Sequence, residues 1–502
     1  MTPCTGETIE MHQIRRDRQH TESEALMTEV VHLHMPEEVR ATQSRDATPR
    51  ERRYYVWTVG CQMNVSDSER LEAALQGVGY APAERPEDAS FIVLNSCSVR
   101  ASAEERILGK LSEVQRLKRK HPDTKVVLWG CMVGPGNQSI FQSRLPMVDH
   151  FVSPSAVDEV LALAPNPIYQ LEEPALPVAR WDHPPVSVHV PIQYGCNMSC
   201  SFCVIPLRRG RERSRPLDEI VEECRRIVAR GAKEITLLGQ IVDSWGHDLP
   251  GRPDLADLLR AVHDIPGLLR LRFLTSHPAW MTDRLIAAVA ELPRCMPDIN
   301  LPVQAGDDAL LKIMRRGYTV QRYRDLITKI RDAIPDVSLT TDVIVGHPGE
   351  TRERFEGTKR LLEDIRFDKV HIAAFSPRPG TRAAEMELDP TLAVPEGEKQ
   401  LRRIELERLQ EQIAAERNAR FLHQTVEVLV EGEHKGKWRG RTPGNKLVFF
   451  SDPDDWTGRL VQVVITRTSP WSLQGVLARS NETSTRVNGA LHAVSAANGA
   501  AV

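Results

Sequence analysis

The stretch PIQYGCNMSCSFCVIPLRRGRERSR, Pro191–Arg215, decides how this chain is read. Cys196, Cys200 and Cys203 stand at C-x3-C-x2-C spacing on a short loop, between an alternating strand (Val186, Val188, Val190, Ile192) and an arginine run. Three thiolates this close together suit a soft metal ion or an iron–sulfur cluster. A cubane cluster has four irons, so three ligands leave one iron open to a small molecule. No other cysteine within twenty residues completes a local set of four. A structural zinc ion, completed by a distant His or Cys, is the competing reading of the same spacing.

Working outward, 502 residues suffice for about three domains. With 41% apolar and 26% charged residues, the composition is that of a soluble globular protein. A net charge of −3, from 65 basic and 68 acidic residues, excludes a globally basic coat, so any RNA contact must rest on local patches. The first residues are polar and charged and do not resemble a secretory leader, and nine cysteines in such a chain point to metal ligation in a reducing cytoplasm rather than to disulfides. No apolar run approaches the ~20 residues of a membrane span, so a cytoplasmic protein with no membrane partner is expected.

Residues 1–52 lack hydrophobic periodicity and read as a disordered tail in which Cys4 is incidental. A first domain, 53–164, opens with the strand Tyr54–Val59. A helix over Asp67–Val78 follows, then a strand at Ser90–Leu94, a helix over Ala101–Lys120 and a strand at Lys125–Trp129. This βαβαβ progression predicts a small parallel α/β sheet. Each strand is followed within a few residues by a cysteine: Cys61, Cys97 and Cys131. Loops at the carboxyl ends of parallel strands open on one edge, so these three thiols, remote in sequence, can converge on a second cluster.

A proline-rich linker (165–185) leads to a central domain (186–415) of six strands alternating with helices. The strands are Val186–Ile192, Glu234–Gly239, Arg270–Thr275, Asp298–Val303, Val337–Val345 and Lys369–Phe375, with helices such as Leu217–Arg230 and Arg352–Ile365 between them. They predict a partial (β/α)6 barrel whose chemistry lies at the strands' carboxyl ends, where the Cys196 loop falls. A charged helix (Pro395–Phe421) reads as a solvated connector packing one stripe, Leu401, Ile404, Leu409 and Ile413, on the barrel. Residues 416–480 have short strands and turn residues, predicting a small antiparallel β-barrel, and 481–502 form a low-complexity tail. The whole is an α/β protein. Lys435, Lys437, Arg439, Arg441 and Lys446, with Trp438, Phe449 and Phe450 nearby, suit looped RNA or, equally, an ordinary solvated hairpin.

Taken together, GCQMN, NSCSV and GCMVG around the first cysteines, GCNMSCSFCVIP at Gly195–Pro206 and the terminal small barrel resemble the radical S-adenosylmethionine methylthiotransferases. RGRERSRP (Arg209–Pro216), LLGQIVDSWG (Leu237–Gly246), LPVQAGDD (Leu301–Asp308), DVIVGHPGET (Asp342–Thr351) and FSPRPGT (Phe375–Thr381) extend the match over roughly Tyr54 to Leu477. The resemblance implies a methylthiotransferase domain, a radical S-adenosylmethionine barrel and a TRAM-like RNA-binding module. It implies two [4Fe–4S] clusters, on Cys61, Cys97, Cys131 and on Cys196, Cys200, Cys203, with S-adenosylmethionine as radical source and methyl donor.

The motifs are most similar to the branch that methylthiolates N(6)-isopentenyladenosine at C2, next to the anticodon of tRNA. Related branches act on threonylcarbamoyladenosine in tRNA or on a ribosomal protein; a non-catalytic, metal-stabilised RNA-binding protein is the alternative of another class. An electron donor such as a flavodoxin or ferredoxin and a sulfur donor are implied partners. Phe202 and Gln240 are cofactor-binding candidates, and Arg209, Arg213 and Arg215 are candidates for the tRNA phosphates, since arginine pairs with phosphate in two-pronged fashion. Cys224 and Cys295 read as structural. Gly134, Ile241, Asp243 and His347 depart from the branch's usual motifs, although none is a cluster ligand.

Overall fold

A computed structural model describes residues 49–98, 101–134, 138–165 and 185–478. Residues 1–48 of the expected first tail, with Cys4, the expected last tail and nearly all of the linker lie outside these residues; the end of the first tail is ordered, Arg50–Arg52 forming a 3-10 turn in which Arg50 pairs with Asp123. The described chain forms two compact units: 49–165 together with Leu207–Arg209, and the rest from 185 onward.

The first unit is a five-stranded sheet of β1 (Arg53–Thr58), β2 (Ala81–Pro82), β3 (Phe91–Ser96), β4 (Lys125–Gly130) and β5 (His150–Val152). Its order is β2-β1-β3-β4-β5 and every pair is parallel. Ile92, Leu94, Val126 and Leu128 face the helix Ala101–Lys120 through Ile107, Leu111 and Val114. Phe91, Val93, Val127 and Trp129 pack on the other side against Leu71 and Leu75 of the helix Gln62–Gly77. Helices on both faces explain why β3 is a continuous apolar run rather than an alternating one. The short strands β2 and β5 give no periodicity to read, and sequence missed them.

The helix after β1 begins at Gln62, five residues ahead of the expected Asp67. Cys61 is its extended N-cap, and the Asn64 side chain accepts from the Cys61 amide at 3.3 Å. Its first turns bury Asn64, Ser66, Asp67 and Ser68, so the inward face there is polar and carries no hydrophobic signal.

The second unit begins with β6 (Ser187–Pro191) and a two-residue hairpin, β7 (Gln193–Tyr194) with β8 (Arg213–Ser214), which brackets the cysteine loop. Then come β9 (Glu234–Leu238), β10 (Arg270–Leu274), β11 (Asp298–Asn300), β12 (Ser338–Val345) and β13 (Lys369–Ala374). The parallel triplets β6-β9-β10 and β11-β12-β13 run in chain order and meet at a parallel bridge between Leu271 and Cys295. This is the expected open (β/α)6 barrel.

Strands β14 (Thr425–His434), β15 (Lys437–Arg441), β16 (Leu447–Phe450), β17 (Leu460–Thr468) and β18 (Leu473–Leu477) close a small barrel in the order β14-β15-β16-β18-β17. It is not wholly antiparallel. β18 reverses tightly out of β17 and so closes parallel to β16. The connecting helix, Glu396–Ala419, also differs from expectation: Leu401 is exposed, and the buried stripe is Lys399, Arg402, Leu406, Gln410, Ile413 and Asn418. Arg402 pairs with the buried Glu350 at 2.9 Å, and Asn418 donates to the Ser469 and Pro470 carbonyls, so the polar members anchor rather than solvate this helix.

The small barrel docks at the amino-terminal end of the central strands. Arg272 of β10 donates to Glu234 at 2.9 Å and to Asp298 at 3.2 Å, and also to the carbonyls of Thr442 (3.1 Å) and Pro443 (2.9 Å). Arg270 reaches Glu427 and the Arg441 carbonyl, and Asp368, just ahead of β13, holds Lys446 and Arg417. The carboxyl ends of the strands are left for chemistry.

Removing one member of a buried ion pair strands its partners at a cost of about 3–5 kcal/mol. Arg272→Met is therefore expected to lower stability toward denaturant by that order. It should also raise hydrogen exchange across residues 425–477 well beyond exchange in β9–β13; an unchanged profile would contradict the docking role.

Candidate metal centres

In the first unit the three cysteines leave β1, β3 and β4 at the same edge. Asn64 donates to the Asn95 side chain (2.9 Å) and the Ser96 carbonyl (3.1 Å); Asn95 returns bonds to the Asn64 carbonyl and Ser68. The Cys131 amide donates to the same Ser96 carbonyl at 2.8 Å. These bonds lace the three loops together. Gly60 permits the approach, since a Cβ there would lie 2.9 Å from that of Cys97. Gly130, at φ +98°, likewise lies against the Ser96 backbone. Cys97 and Cys131 are buried and Cys61 is exposed, and Cys61 is near enough to Cys131 to raise its thiol pKa, secondary to burial. The structure thus brings together three residues that sequence places 36 and 34 positions apart.

Arg209, part of this unit, was expected on a phosphate and lies elsewhere. Its side chain is 1% exposed: Nε donates to the Cys131 sulfur at 3.3 Å, both terminal nitrogens to Asp67, and one also to Ser155. A guanidinium so enclosed is withdrawn from any surface that RNA can reach. Gly134 makes room for the neighbouring Arg208, whose side chain occupies the space of a Cβ there.

In the second unit Gly195, at φ +74°, turns the chain out of β7 into the cysteine loop; a Cβ would collide with the Arg211 carbonyl at 2.1 Å. The loop is pinned on several sides. Ser201 donates its amide to the Met314 carbonyl and accepts from the Ala383 amide, and its hydroxyl meets Nε2 of buried His347 at 3.1 Å. Phe202 stands edge-on to the His347 ring. Burial pushes the Cys196 thiol up to about 11 and Cys203 up to about 12, against backbone amides of Met198 and Ile205 that draw them down. Arg316 donates to the Cys200 sulfur at 3.3 Å.

Gln240, Ser276, His277 and Gln304 follow β9, β10 and β11 at their carboxyl ends. Each carries a buried side-chain atom with no hydrogen-bond partner: Gln240 Oε1, Ser276 Oγ, His277 Nε2 and Gln304 Oε1. Asp243 accepts the His277 amide with both oxygens (3.1 and 2.9 Å), and burial lifts its pKa to about 8. Of the remaining arginine candidates, Arg213 is exposed over the Tyr194 ring, while Arg215 is tied to Glu223 and the Pro191 carbonyl. On the small barrel Lys446 pairs with Asp368, and Arg439 and Arg441 share Glu431, which leaves Lys435 and Lys437 exposed.

The description "Radical SAM superfamily" matches residues 190–362, "Uncharacterized protein family UPF0004" residues 53–153, and "TRAM domain" residues 419–478. The chain is 97% identical over 476 residues to the tRNA-2-methylthio-N(6)-dimethylallyladenosine synthase of Roseiflexus sp. (strain RS-1), covering 95% of this chain and 100% of that protein. It is 80% identical to the synthase of the same name from Chloroflexus aurantiacus, over 87% of this chain and 94% of the relative. The chain belongs to the tRNA-2-methylthio-N(6)-dimethylallyladenosine synthase family. The same-named synthase of Herpetosiphon aurantiacus is 73% identical, over 85% of this chain and 97% of its own.

Membership of this radical enzyme family implies a [4Fe–4S] cluster and S-adenosylmethionine. The Cys196 loop fits them: its sulfurs are soft donors, and the unpartnered polar atoms after β9, β10 and β11 await a polar ligand, since buried polar groups are otherwise satisfied. Among the described residues no three His, Cys, Asp or Glu side chains crowd together tightly enough for a single ion. Sequence reasoning missed Arg316, His277 and Gln304. The polar residues directly behind β10, in LTSHP, were the available signal.

His347, wholly buried, has its imidazole pKa pushed from 6.5 down to about 4 by desolvation. Its folded pKa lies below its unfolded one, so its contribution is complete above about pH 6.5 and is lost as the pH falls toward 4. The loss amounts to roughly 3 kcal/mol. The melting temperature should fall over that window, and His347→Phe, which cannot protonate, should flatten the slope; equal slopes would contradict this.

Proposed function

We propose that this chain methylthiolates N(6)-isopentenyladenosine at C2, next to the anticodon of tRNA, in the cytoplasm. The single observation that carries the reading is the near identity, over its full length, to the synthase of Roseiflexus. Cys196, Cys200 and Cys203 would hold a [4Fe–4S] cluster that, with S-adenosylmethionine, would supply the carbon radical that an unactivated aromatic C–H bond requires because it offers no acidic proton. Cys61, Cys97 and Cys131 would hold a second cluster, which would supply the sulfur, and a further S-adenosylmethionine would supply the methyl group.

The chain's own residues serve this chemistry by position. The Ser201 and His347 contacts hold the cysteine loop, and Phe202 presents a ring beside its last ligand. Gln240, with Oε1 unpartnered, is suited to a donor on cofactor or substrate. Arg213 on the β8 hairpin, and Lys435 and Lys437 on the small barrel, remain exposed for phosphates. The Asn64–Asn95–Ser96 lacing keeps the first trio gathered. An electron donor such as a flavodoxin or ferredoxin and a separate sulfur donor complete the cycle.

Cys200→Ala should abolish 5′-deoxyadenosine formation under reduction, whereas Cys97→Ala should permit it and stop sulfur insertion. Equal loss of both activities in folded protein would contradict separate roles. In a deletion strain the 2-methylthio derivative of isopentenyladenosine should disappear from tRNA nucleosides by mass spectrometry; loss of the threonylcarbamoyladenosine derivative instead would overturn the substrate.

A further inference from the structure

Three arginines buried in the second unit are matched by carboxylates: Arg272 by Glu234 and Asp298, Arg402 by Glu350, Arg270 by Glu427. Arg316 differs from these three. It is 5% exposed, and among the described residues no carboxylate pairs with it. Nε donates to the Tyr318 hydroxyl at 3.1 Å and one terminal nitrogen to the Pro302 carbonyl at 3.0 Å, which fixes the fork and aims the other terminal nitrogen at Cys200 Sγ, 3.3 Å away. Tyr318 is itself fixed, donating to the Val303 carbonyl at 2.9 Å, and the nearby His277 is held neutral, its pKa pushed down to about 3 by burial. A cation taken out of water without a counter-charge costs several kcal/mol. Among the described residues, the group its remaining nitrogen meets is the sulfur of Cys200.

We propose that Arg316 is a positioning residue that raises the reduction potential of the cluster held by Cys196, Cys200 and Cys203. The inference rests on the cluster assignment made above for that trio. Three thiolates around a resting [4Fe–4S] core make a net anion, and accepting one electron adds a further negative charge. A fixed cation that donates to one ligand sulfur stabilises the reduced form more than the oxidised one, and net charge and hydrogen bonds to sulfur are among the terms that set such potentials. In a site screened from water the effect is amplified. The electron comes from an external one-electron donor; no bond to Arg316 forms or breaks.

The test uses full-length protein with Cys61, Cys97 and Cys131 all replaced by Ala, so that iron signals report one site. Reconstituted anaerobically and titrated with titanium(III) citrate, it is followed by electron paramagnetic resonance. Failure of this parent to bind iron would remove the cluster assignment and the inference with it. With the parent loaded, Arg316→Gln at equal iron content should bind the electron at least tenfold more weakly, a midpoint about 59 mV lower. An unmoved or raised midpoint overturns the proposal. Should Arg316→Gln fail to hold the cluster, Arg316→Lys decides: loading with a midpoint below the parent's supports the role, while an unmoved midpoint, or failure of both variants to load, shows Arg316 to be merely structural.

Discussion

Three cysteines spread over seventy residues can meet only if the strands ahead of them run parallel and in step. The register supplies that condition: Thr58 lies beside Asn95, and Ser96 beside Gly130. Each chain therefore leaves the sheet in the same layer, with its cysteine one to three residues further on. Two glycines then let the loops close to backbone contact, and Asn64, Asn95 and Ser96 satisfy the polar groups that this closeness buries. A one-residue slip would turn the carboxyl end of a strand inside out. The gathering of the trio is thus a consequence of sheet register, with the side-chain amides as its lock.

The second unit meets a different demand. Its cysteine loop is local and needs no register to assemble, but it must be held against the barrel while the adjoining strand ends stay unsaturated. The division between the two ends of the barrel answers this. At the amino-terminal end, charges are paired off in a dense network joining Arg272, Glu234, Asp298, Asp368 and Lys446. At the carboxyl end, Gln240, Ser276, His277 and Gln304 keep polar atoms unmatched. Unsatisfied groups cost stability, and their concentration at one end is how a structure reserves a place for a polar ligand.

The architecture was largely legible. Six apolar runs bounded by turn residues became β6 and β9–β13, and the helix Arg352–Ile365 matched its amphipathic pattern residue for residue. Where reading failed, buried polar groups were the cause. The helix behind Cys61 starts on Asn, Ser and Asp side chains that hydrogen-bond inward, and the connecting helix buries Lys399, Arg402 and Gln410 in place of Leu401. Hydrophobic periodicity cannot see a polar core. The arginine run failed likewise: Arg209, Arg213 and Arg215 are alike in sequence, yet one is enclosed with Asp67, one is exposed, and one is tied to Glu223. Only tertiary partners separate them.

Arg209 and Arg316 show how the same contact has different consequences. Each donates to a cysteine sulfur at 3.3 Å from a buried position. Arg209 carries its own counter-ion, because Asp67 receives both of its terminal nitrogens; its field is largely cancelled at short range, and what remains is a directional donor that orients Cys131. Arg316 is held by neutral partners, a phenol and a carbonyl, so its charge is undiminished at Cys200. Burial meanwhile pushes the Cys196 and Cys203 thiols upward, so a metal bound there would have to displace their protons. A loop that resists becoming anionic, next to a cation that favours the anion, is stable in neither extreme alone. Thiolates that shared their charge with a bound cluster would reconcile the two, so the arrangement of charges favours a metal-bound loop over either extreme.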